Sequence, residues 1–421
     1  MSRRPNEIQG APARLAALKL LDAVLRRGET LDQAAHAATQ GLLTHSDKAL
    51  ARALASEVLR WLADLDALID GAMKKPLPDD AKARSVLRVM LAGWLRLDTP
   101  PHAVVATGLP LLAGGPRRLA HGVFSTLVKN NAALPAAPTL PKAARERWGE
   151  RAAAIAVGLA VPPPLDLALR EANETERWVI ELGGVSLASG HVRLPRGSAI
   201  EELPGFAEGA WWVQDLAASL PARLLGAGAH DSGAKRALDL CAAPGGKTLQ
   251  LAAAGWHVTS LDVSGNRLEL LRANLARTGL TADVTVADAL EWQPDAPFDA
   301  ILLDAPCTAT GTARRHPDVL HRIGPRQIAE MAELQTALLV RAAGWLKPGG
   351  RLVYSVCSLE REEGEAVAAA CPLPTDPIGA DELPSGLAPT SDGHLRTDPG
   401  LLIDEGGLDG FFIARFRADA T

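Results

Sequence analysis

Hydrophobic residues recur at helical spacing through the first 130 positions. The first apolar face comprises Leu15, Leu18, Leu20, Leu21, Val24 and Leu25. Repeats near 3.6 residues are typical of amphipathic helices. Further helices are predicted over residues 49–62, 83–97 and 117–130. Asp47 is expected to cap the helix over residues 49–62, because Asp accepts hydrogen bonds from the first helical N–H groups. Strand-like alternation does not occur here, so the sequence predicts an all-α domain.

From Ala237 onward, short apolar runs alternate with amphipathic stretches. Strands are predicted over residues 237–241, 257–262, 284–287, 299–303 and 351–356. Helices are predicted from Lys247 and over residues 266–277, 325–346 and 361–370. This alternation predicts a Rossmann-like α/β domain with a doubly wound parallel sheet. The alternating run at 410–416 is expected to add an antiparallel terminal strand, and residues 372–409 to form a loop.

The remaining segments divide the chain into several domains. Residues 131–142 are rich in Pro and Ala and are predicted to form a linker after the all-α domain of residues 1–130. Residues 143–230 mix short helical and strand patterns, which indicates a small α+β subdomain. The α/β domain then occupies residues 231–421.

Charge is distributed unevenly along the chain. The formal net charge is −5, yet residues 1–130 carry 18 Lys and Arg against 12 Asp and Glu. A basic N-terminal domain would suit docking to RNA phosphates. An ordinary surface excess of basic residues explains the same numbers equally well, so charge alone leaves both interpretations open.

Cysteine content and apolar runs bear on the cellular setting. Four cysteines with no C-x-x-C pair do not form a disulfide framework and do not favour a zinc site. Met1–Pro5 is not followed by an apolar signal segment, and the apolar run at 152–165 contains three prolines and is too short to span a bilayer. We therefore expect a cytoplasmic monomer without a metal or membrane association.

A glycine-rich turn follows the first predicted strand of the α/β domain. Residues 239–248 read Asp-Leu-Cys-Ala-Ala-Pro-Gly-Gly-Lys-Thr. The G-x-G-x-x-G spacing of dinucleotide sites is absent, and a P-loop would require Gly at position 241, where this chain has Cys. S-adenosylmethionine remains as the candidate ligand, since its carboxylate suits an amide-lined turn. The alternative is a tight turn that holds no ligand.

Two carboxylates follow the next strands. Asp262 ends the second strand, 17 residues beyond Gly245, where an acidic residue can bind ribose hydroxyls. Asp288 follows the third strand and could accept a hydrogen bond from an adenine amino group. These positions favour a bound cofactor over an empty turn.

Two cysteines follow the fourth and fifth strands of this sheet. Cys307 lies three residues after Asp304, and Cys357 follows the strand ending at Val356. A thiolate that adds to C6 of a cytosine makes C5 nucleophilic, so strand-end cysteines beside a cofactor turn suit covalent methyl transfer. Asp304 could act near N3, and Lys247 could favour ionisation of the thiol. A buried apolar role is the commoner fate of a free cysteine, and it is favoured for Cys241 and Cys371.

These motifs resemble those of a known family. The matching segments are residues 239–248, Asp-Ala-Pro-Cys-Thr-Ala-Thr-Gly at 304–311, Arg-Arg-His-Pro-Asp at 314–318, Tyr-Ser-Val-Cys-Ser at 354–358 and Asp-Gly-Phe-Phe-Ile-Ala at 409–414. Together they resemble the Sun/Nol/Nop RNA (cytosine-5) methyltransferases. The N-terminal part is similar to the NusB-like RNA-binding domain, related to an antitermination factor, of the bacterial Sun-type members.

The resemblance implies roles for individual residues. Cys357 would attack the base, Cys307 would help release the product, and Asp304 and Lys247 would act beside them; the residue pattern alone does not decide which cysteine attacks. The implied S-adenosylmethionine site comprises Cys241, Ala242, Ala243, Pro244, Gly245, Gly246, Lys247, Asp262, Arg267, Asp288 and Asp304.

The same resemblance implies an RNA substrate. Small-subunit (16S) ribosomal RNA is expected, with 5-methylcytidine as the product, and transfer RNA is the alternative substrate. A non-catalytic RNA-binding factor in ribosome assembly is the alternative function. The chain departs from the family pattern at Val356, where Thr is usual, and at residues 216–219, where a more polar run is usual.

Overall fold

A computed structural model describes residues 9–197, 199–228 and 235–420. The chain divides into two compact units. One unit comprises Met1–Val161 with Ala313–Ile323, and the other comprises Pro162–Thr312 with Gly324–Thr421. The predicted boundary between residues 230 and 231 and the segment Met1–Pro5 lie outside the described residues. Within the described parts of the chain, no helix is long and apolar enough to cross a membrane.

The first unit is helical, as predicted. Its helices are α1 (Ala11–Arg27), α2 (Leu31–Thr39), α3 (His45–Arg60), α4 (Leu62–Gly71), α5 (Lys82–Arg96), α6 (Pro101–Gly108), α7 (Gly114–Lys129), α8 (Lys142–Trp148) and α9 (Ala152–Leu159). One apolar core is formed mainly by the faces of α1, α3, α5 and α7, with Leu20, Val58, Leu87 and Phe124 among its buried members. Burial of these apolar faces is the main source of stability for such helices.

Local polar contacts fix where the helices begin. The Thr30 hydroxyl accepts from the Gln33 N–H and the Gln33 side chain accepts from the Thr30 N–H, which forms a capping box before α2. Thr44 caps α3, and its hydroxyl accepts from the N–H of Asp47 at 3.1 Å. The prediction that Asp47 is the cap was therefore wrong by three residues. Asp47 instead lies in the first turn, where its charge suits the helix dipole.

The helical unit extends beyond the predicted boundary at residue 130. Residues 131–142 were predicted to form a linker, but the N–H and hydroxyl of Thr139 donate to the two Asp64 oxygens at 2.8 and 2.6 Å. Leu140 is buried beside them. These contacts attach the segment to α4, so the unit continues through α8 and α9 to Val161.

A segment from the second half of the sequence also belongs to the helical unit. Residues Ala313–Ile323 contain the Arg-Arg-His-Pro-Asp motif and the short helix α14 (Val319–Arg322). The Arg60 guanidinium donates to the carbonyl of Arg314 at 2.8 Å, and His321 Nε2 lies 2.6 Å from the carbonyl of Leu59. The sequence assigned this segment to the α/β domain because strand and helix patterns flank it on both sides.

The second unit contains two sheets. Its remaining elements are β1 (Leu165–Leu169), α10 (Thr175–Leu182), β2 (His191–Leu194), β3 (Trp211–Val213), α11 (Leu216–Arg223), β4 (Arg236–Leu240), α12 (Gly246–Ala253), β5 (His257–Asp262), α13 (Gly265–Thr278), β6 (Asp283–Val286), β7 (Phe298–Asp304), α15 (Pro325–Ala343), β8 (Leu346–Val356), α16 (Glu365–Ala369), β9 (Leu395–Thr397) and β10 (Phe411–Arg417). The small sheet has the antiparallel order β2-β1-β3.

The large sheet has seven strands in the order β6-β5-β4-β7-β8-β10-β9. Strands β4 to β8 are parallel, and β10 pairs antiparallel with β8. The predicted Rossmann-like fold with an antiparallel terminal strand is therefore confirmed. Edge strand β9, inside the predicted loop 372–409, was missed because three residues carry too little alternation to be recognised.

The chain order of this sheet determines where a ligand can bind. After β4 the chain moves outward through β5 and β6, and it then returns to place β7 on the other side of β4. Open α/β sheets bind ligands at the carboxyl ends of the strands beside this switch point. The turn after β4 and the loop after β7 both begin there.

Candidate active site

The turn after β4 has an unusual backbone conformation. Cys241 has a φ of 60°, Gly245 has a φ of 110°, and the bond from Ala243 to Pro244 is cis. The N–H of Ala242 donates to the Leu261 carbonyl, which ties the turn to β5. Helix α12 then begins without a side-chain cap. Its first N–H groups therefore form a site suited to a carboxylate.

Asp262 fixes the same turn from the end of β5. One carboxylate oxygen accepts from the Ala243 N–H at 3.1 Å, and the other accepts from the Ser264 N–H at 2.8 Å. The Arg267 guanidinium donates to the carbonyl of Ala243 at 2.5 Å. Asp262 and Arg267 therefore fix the shape of the turn.

Apolar side chains are exposed next to these polar groups. Val263 follows Asp262 and is 70% exposed, and Val286, which is paired with Asp262 across the sheet, is 52% exposed. Asp288 lies two residues beyond Val286 and is exposed, with one oxygen accepting from the Leu290 N–H at 2.8 Å. Exposed apolar surface beside carboxylates suits a flat, partly polar group such as adenine.

These features together fit S-adenosylmethionine. The uncapped start of α12 suits its carboxylate, Asp262 suits a ribose, and the valines with Asp288 suit an adenine. Among the described residues, no group of three or more His, Cys, Asp or Glu could hold a metal ion.

The two strand-end cysteines lie together. The sulfur atoms of Cys307 and Cys357 are 3.4 Å apart, since β7 and β8 are adjacent and Asp304 is paired with Ser355. The hydrogen bond to Cys357 and burial raise the pKa of the Cys307 thiol well above its ordinary value. Cys307 therefore holds its proton firmly.

Lys247 and Asp304 form an ion pair beside the thiols. Lys247 Nζ lies 2.7 Å from Asp304 Oδ2, and the Ser355 hydroxyl donates to Asp304 Oδ1 at 2.8 Å. Burial alone would lower the pKa of Lys247, but the charge of Asp304 and the hydrogen bond to it raise the pKa overall. A Cys357 thiolate contributes to the same rise, so the ammonium and the thiolate stabilise each other.

Cys241 differs from the other two cysteines near the site. Burial, together with the charges of Asp262, Asp304 and Asp239, raises the pKa of its thiol to about 12. Cys241 therefore stays a neutral thiol and serves the turn through its backbone. Cys371 is partly buried against an apolar cluster outside the group of site residues.

The sequence missed two polar residues of this site. Ser355 could have been found from strand register, because it is paired with Asp304 in the sheet. Glu363 gives no such signal, since it stands among Glu360, Glu362 and Glu365 and only the fold shows that it is fully buried. The departures from the family pattern lie in the interior: Val356 is fully buried, and residues 216–219 begin the buried helix α11.

Comparison with known proteins supports the fold and the cofactor. Residues 230–417 match the family described as 16S rRNA methyltransferase RsmB/F, and residues 11–111 match the NusB family. Ribosomal RNA small subunit methyltransferase B of Klebsiella pneumoniae is 34% identical over 437 residues, covering 96% of this chain and 97% of that protein. The chain belongs to the RsmB/F methyltransferase family. The resemblance inferred from the motifs is thereby confirmed.

Other members and structures agree with this assignment. The corresponding enzyme of Xanthomonas campestris is 34% identical over 435 residues, covering 96% of this chain and 97% of that protein. A crystal structure of a methyltransferase homologue from Pyrococcus horikoshii superimposes with a TM-score of 0.54 at 28% identity, covering 66% of this chain and 93% of that one. As a member of the RsmB/F family, the protein is an S-adenosylmethionine-dependent methyltransferase with a NusB-type helical domain.

Proposed function

We propose that this protein methylates C5 of a cytosine in small-subunit ribosomal RNA through a covalent bond between Cys357 and C6. The observation that carries the proposal is the pair of thiols 3.4 Å apart at one sheet edge, beside the Lys247–Asp304 ion pair. A methyltransferase acting on an oxygen or an exocyclic nitrogen has no use for two adjacent cysteines. A carbon atom within an aromatic ring does require nucleophilic activation.

Cys357 acts as the nucleophile. Its sulfur forms a bond to C6 of the cytosine, and the ring electrons that are displaced make C5 nucleophilic. S-adenosylmethionine, when bound at the start of α12, supplies the electrophilic methyl group. Lys247 stabilises the thiolate before attack, and Cys307 donates its S–H hydrogen to the same sulfur. These contacts favour Cys357 over Cys307 as the attacking group.

Asp304 stabilises the ring while Cys357 is attached. Negative charge develops at N3 when the sulfur adds to C6, so a proton donor there lowers the barrier. Asp304 presents to N3 a proton taken up from solvent, while Lys247, 2.7 Å from Asp304 Oδ2, keeps its own proton and holds the carboxyl group in place. Ser355 holds the carboxyl group in position from its other oxygen.

Cys307 assists release of the product. The hydrogen bond to Cys357 is the largest cause of its raised pKa, and that bond is lost once Cys357 is bonded to carbon. Cys307 then loses its proton to water and accepts the C5 proton. The electrons of the C5–H bond restore the C5–C6 double bond, the sulfur of Cys357 leaves as a thiolate, and N3 returns its proton to Asp304.

The helical unit supports RNA as the substrate. The exposed face of α7 carries Arg117, Arg118, His121 and Lys129, while its opposite face is buried in the core. The sequence from Thr99 to Arg145 contains no Asp or Glu, and no described acid pairs with these four side chains. Unpaired basic groups on one helix face suit a phosphate backbone. The relatives' names favour ribosomal RNA over transfer RNA.

The test is methyl transfer from labelled S-adenosylmethionine to unmodified small-subunit ribosomal RNA and, separately, to bulk transfer RNA. We expect 5-methylcytidine in the ribosomal RNA only, and no product with Cys357→Ala. Cys307→Ala is expected to accumulate a protein–RNA adduct that survives denaturation. Cys371→Ala is the matched control, because this cysteine is partly buried outside the site and should retain activity.

Each other outcome changes a separate part of the proposal. Turnover by Cys357→Ala would remove its role as nucleophile. Label in transfer RNA alone would keep the chemistry and change the substrate. Cofactor binding without transfer to either RNA or to small-subunit particles would favour a non-catalytic role in ribosome assembly.

A further inference from the structure

A buried carboxylate lies behind the two thiols. Glu363 has no exposed surface, yet it accepts four hydrogen bonds. One oxygen accepts from the N–H of Thr308 at 2.8 Å and from the side-chain amide of Gln335 at 3.2 Å. The other accepts from the Thr308 hydroxyl at 2.5 Å and from the Ser358 hydroxyl in a very short contact.

The partners of Glu363 immediately follow the two cysteines in sequence. Thr308 follows Cys307 and Ser358 follows Cys357, so one carboxylate binds the loop after β7 and the loop after β8. Gln335 extends the link, because the same amide nitrogen donates to the carbonyl of Pro306 at 2.8 Å. The carboxylate therefore contacts both thiol-bearing loops one residue beyond each sulfur.

Burial of Glu363 requires an explanation other than charge pairing. No described Lys, Arg or His forms an ion pair with it, and removing a carboxylate from water without a counter-ion is costly. Four donors offset that cost only while both loops stay in place. Moving either loop would therefore leave the buried carboxylate without some of its donors, which would be energetically costly.

We propose that Glu363 is a positioning residue that keeps Cys307 and Cys357 within reach of each other during the reaction. The proposal rests on the proposed function for its catalytic consequence. Glu363 touches neither substrate nor cofactor in this scheme and acts through its contacts with Thr308 and Ser358 and through its charge.

The charge of Glu363 supports the same assignment. Its negative charge is one of the causes that raise the pKa of the Cys307 thiol, after the hydrogen bond to Cys357, burial and the charge of Cys357. Glu363 thus helps to keep the proton on Cys307. Loss of the carboxylate would alter both the spacing of the sulfurs and the distribution of their proton.

The experiment compares Glu363→Ala and Glu363→Gln with wild-type protein by two readouts. The first is steady-state methyl transfer, in which kcat should fall about 100-fold for Glu363→Ala while KM for RNA changes little, as expected for a misplaced nucleophile. Glu363→Gln keeps one oxygen acceptor and should recover part of kcat. The second readout is disulfide formation between Cys307 and Cys357 with diamide, which takes one hydrogen atom from each thiol, measured by peptide mass.

The disulfide readout does not depend on methyl transfer. Sulfur atoms 3.4 Å apart need only a small movement to reach the bonding distance of about 2 Å, so wild-type protein should cross-link readily. Glu363→Ala should cross-link several-fold more slowly, and Glu363→Gln should lie between the two. A wild-type protein that cross-links but methylates neither RNA nor small-subunit particles would remove the proposed function and leave the positioning role standing.

A matched control separates positioning from general destabilisation. Asp166 is also a buried carboxylate of this unit, and it binds Arg193 and the N–H of Leu216 in contacts separate from those of the thiol loops. Asp166→Asn should lower Tm without slowing the cross-link. The proposal is overturned if Glu363→Ala keeps kcat within about threefold or cross-links at the wild-type rate. It is also overturned if Asp166→Asn, at an equal loss of Tm, shows the same two defects.

Discussion

Asp239 is a single residue whose burial makes the stability of the fold depend on pH. Its side chain is 1% exposed, and Oδ2 accepts from the Thr248 hydroxyl at 2.6 Å, while Oδ1 has no partner among the described residues. Burial raises the pKa of Asp239 to about 7, and the hydrogen bond from Thr248 opposes this rise. The folded protein therefore holds this proton more tightly than the unfolded chain does.

Asp239→Asn should be stabilising above neutral pH. The neutral acid contributes its full stability below pH 4, and that contribution is lost as pH rises through about 7. The free-energy advantage of the Asn variant should therefore grow by up to about 1.4 kcal/mol per pH unit in this window and then level off. Urea unfolding at pH 5, 6, 7 and 8 measures it. Exposed Asp295→Asn is the control, and parallel curves for the Asp239 and Asp295 variants would contradict the expectation.

At the scale of the element, the turn before α12 combines conformational strain with close packing. Gly245 has a φ of 110°, and a β-carbon there would lie 2.4 Å from Leu271 Cδ1 of α13. Gly279, after α13, has a φ of 67° but open space around it. The two glycines therefore share a backbone requirement and differ in what surrounds them.

Gly245→Ala should weaken cofactor binding, and Gly279→Ala should not. Alanine at either site has an unfavourable positive φ, which costs about 1 kcal/mol. Only at position 245 must α13 or the turn also move, so the Kd for S-adenosylmethionine should rise at least about tenfold, or 1.4 kcal/mol. Isothermal titration calorimetry measures the affinity. Equal affinities for the two variants would mean that the turn does not bind the cofactor.

Elements were predictable where a periodic pattern coincides with a chemical motif. The strands ending at Asp262 and Asp304 and the turn at 239–248 follow from apolar runs and glycines, and the structure has them within a few residues. Contacts distant in sequence were not predictable. Thr139 with Asp64, Arg60 with Arg314, and Glu363 with both thiol loops depend on tertiary packing, which no local pattern records.

At the scale of the whole molecule, charge is separated between the two ends of the sequence. The N-terminal 130 residues are basic. Subtracting their charged residues from the whole-chain totals of 44 Lys and Arg and 49 Asp and Glu leaves 26 and 37 for the rest of the chain. An acidic remainder should repel RNA, so attraction must come from a limited basic surface. The exposed face of α7 is such a surface, since Arg117 and Lys129 are about 18 Å apart along the helix.

Replacing three basic side chains on the exposed face of α7 should weaken RNA binding and make it less dependent on salt. In Arg117→Gln/Arg118→Gln/Lys129→Gln, fewer counterions are released from RNA on binding. The slope of log Kd against log salt should therefore fall by about 2 to 3, while cofactor affinity stays unchanged. Filter binding of ribosomal RNA between about 50 and about 300 mM salt, a range over which charge screening changes strongly, measures this slope.

The matched control is Lys48→Gln/Lys74→Gln/Lys75→Gln, which removes the same charge from other exposed positions of the helical unit. If the slope of log Kd against log salt falls equally in both triple variants, the RNA is attracted by net charge and not by the face of α7.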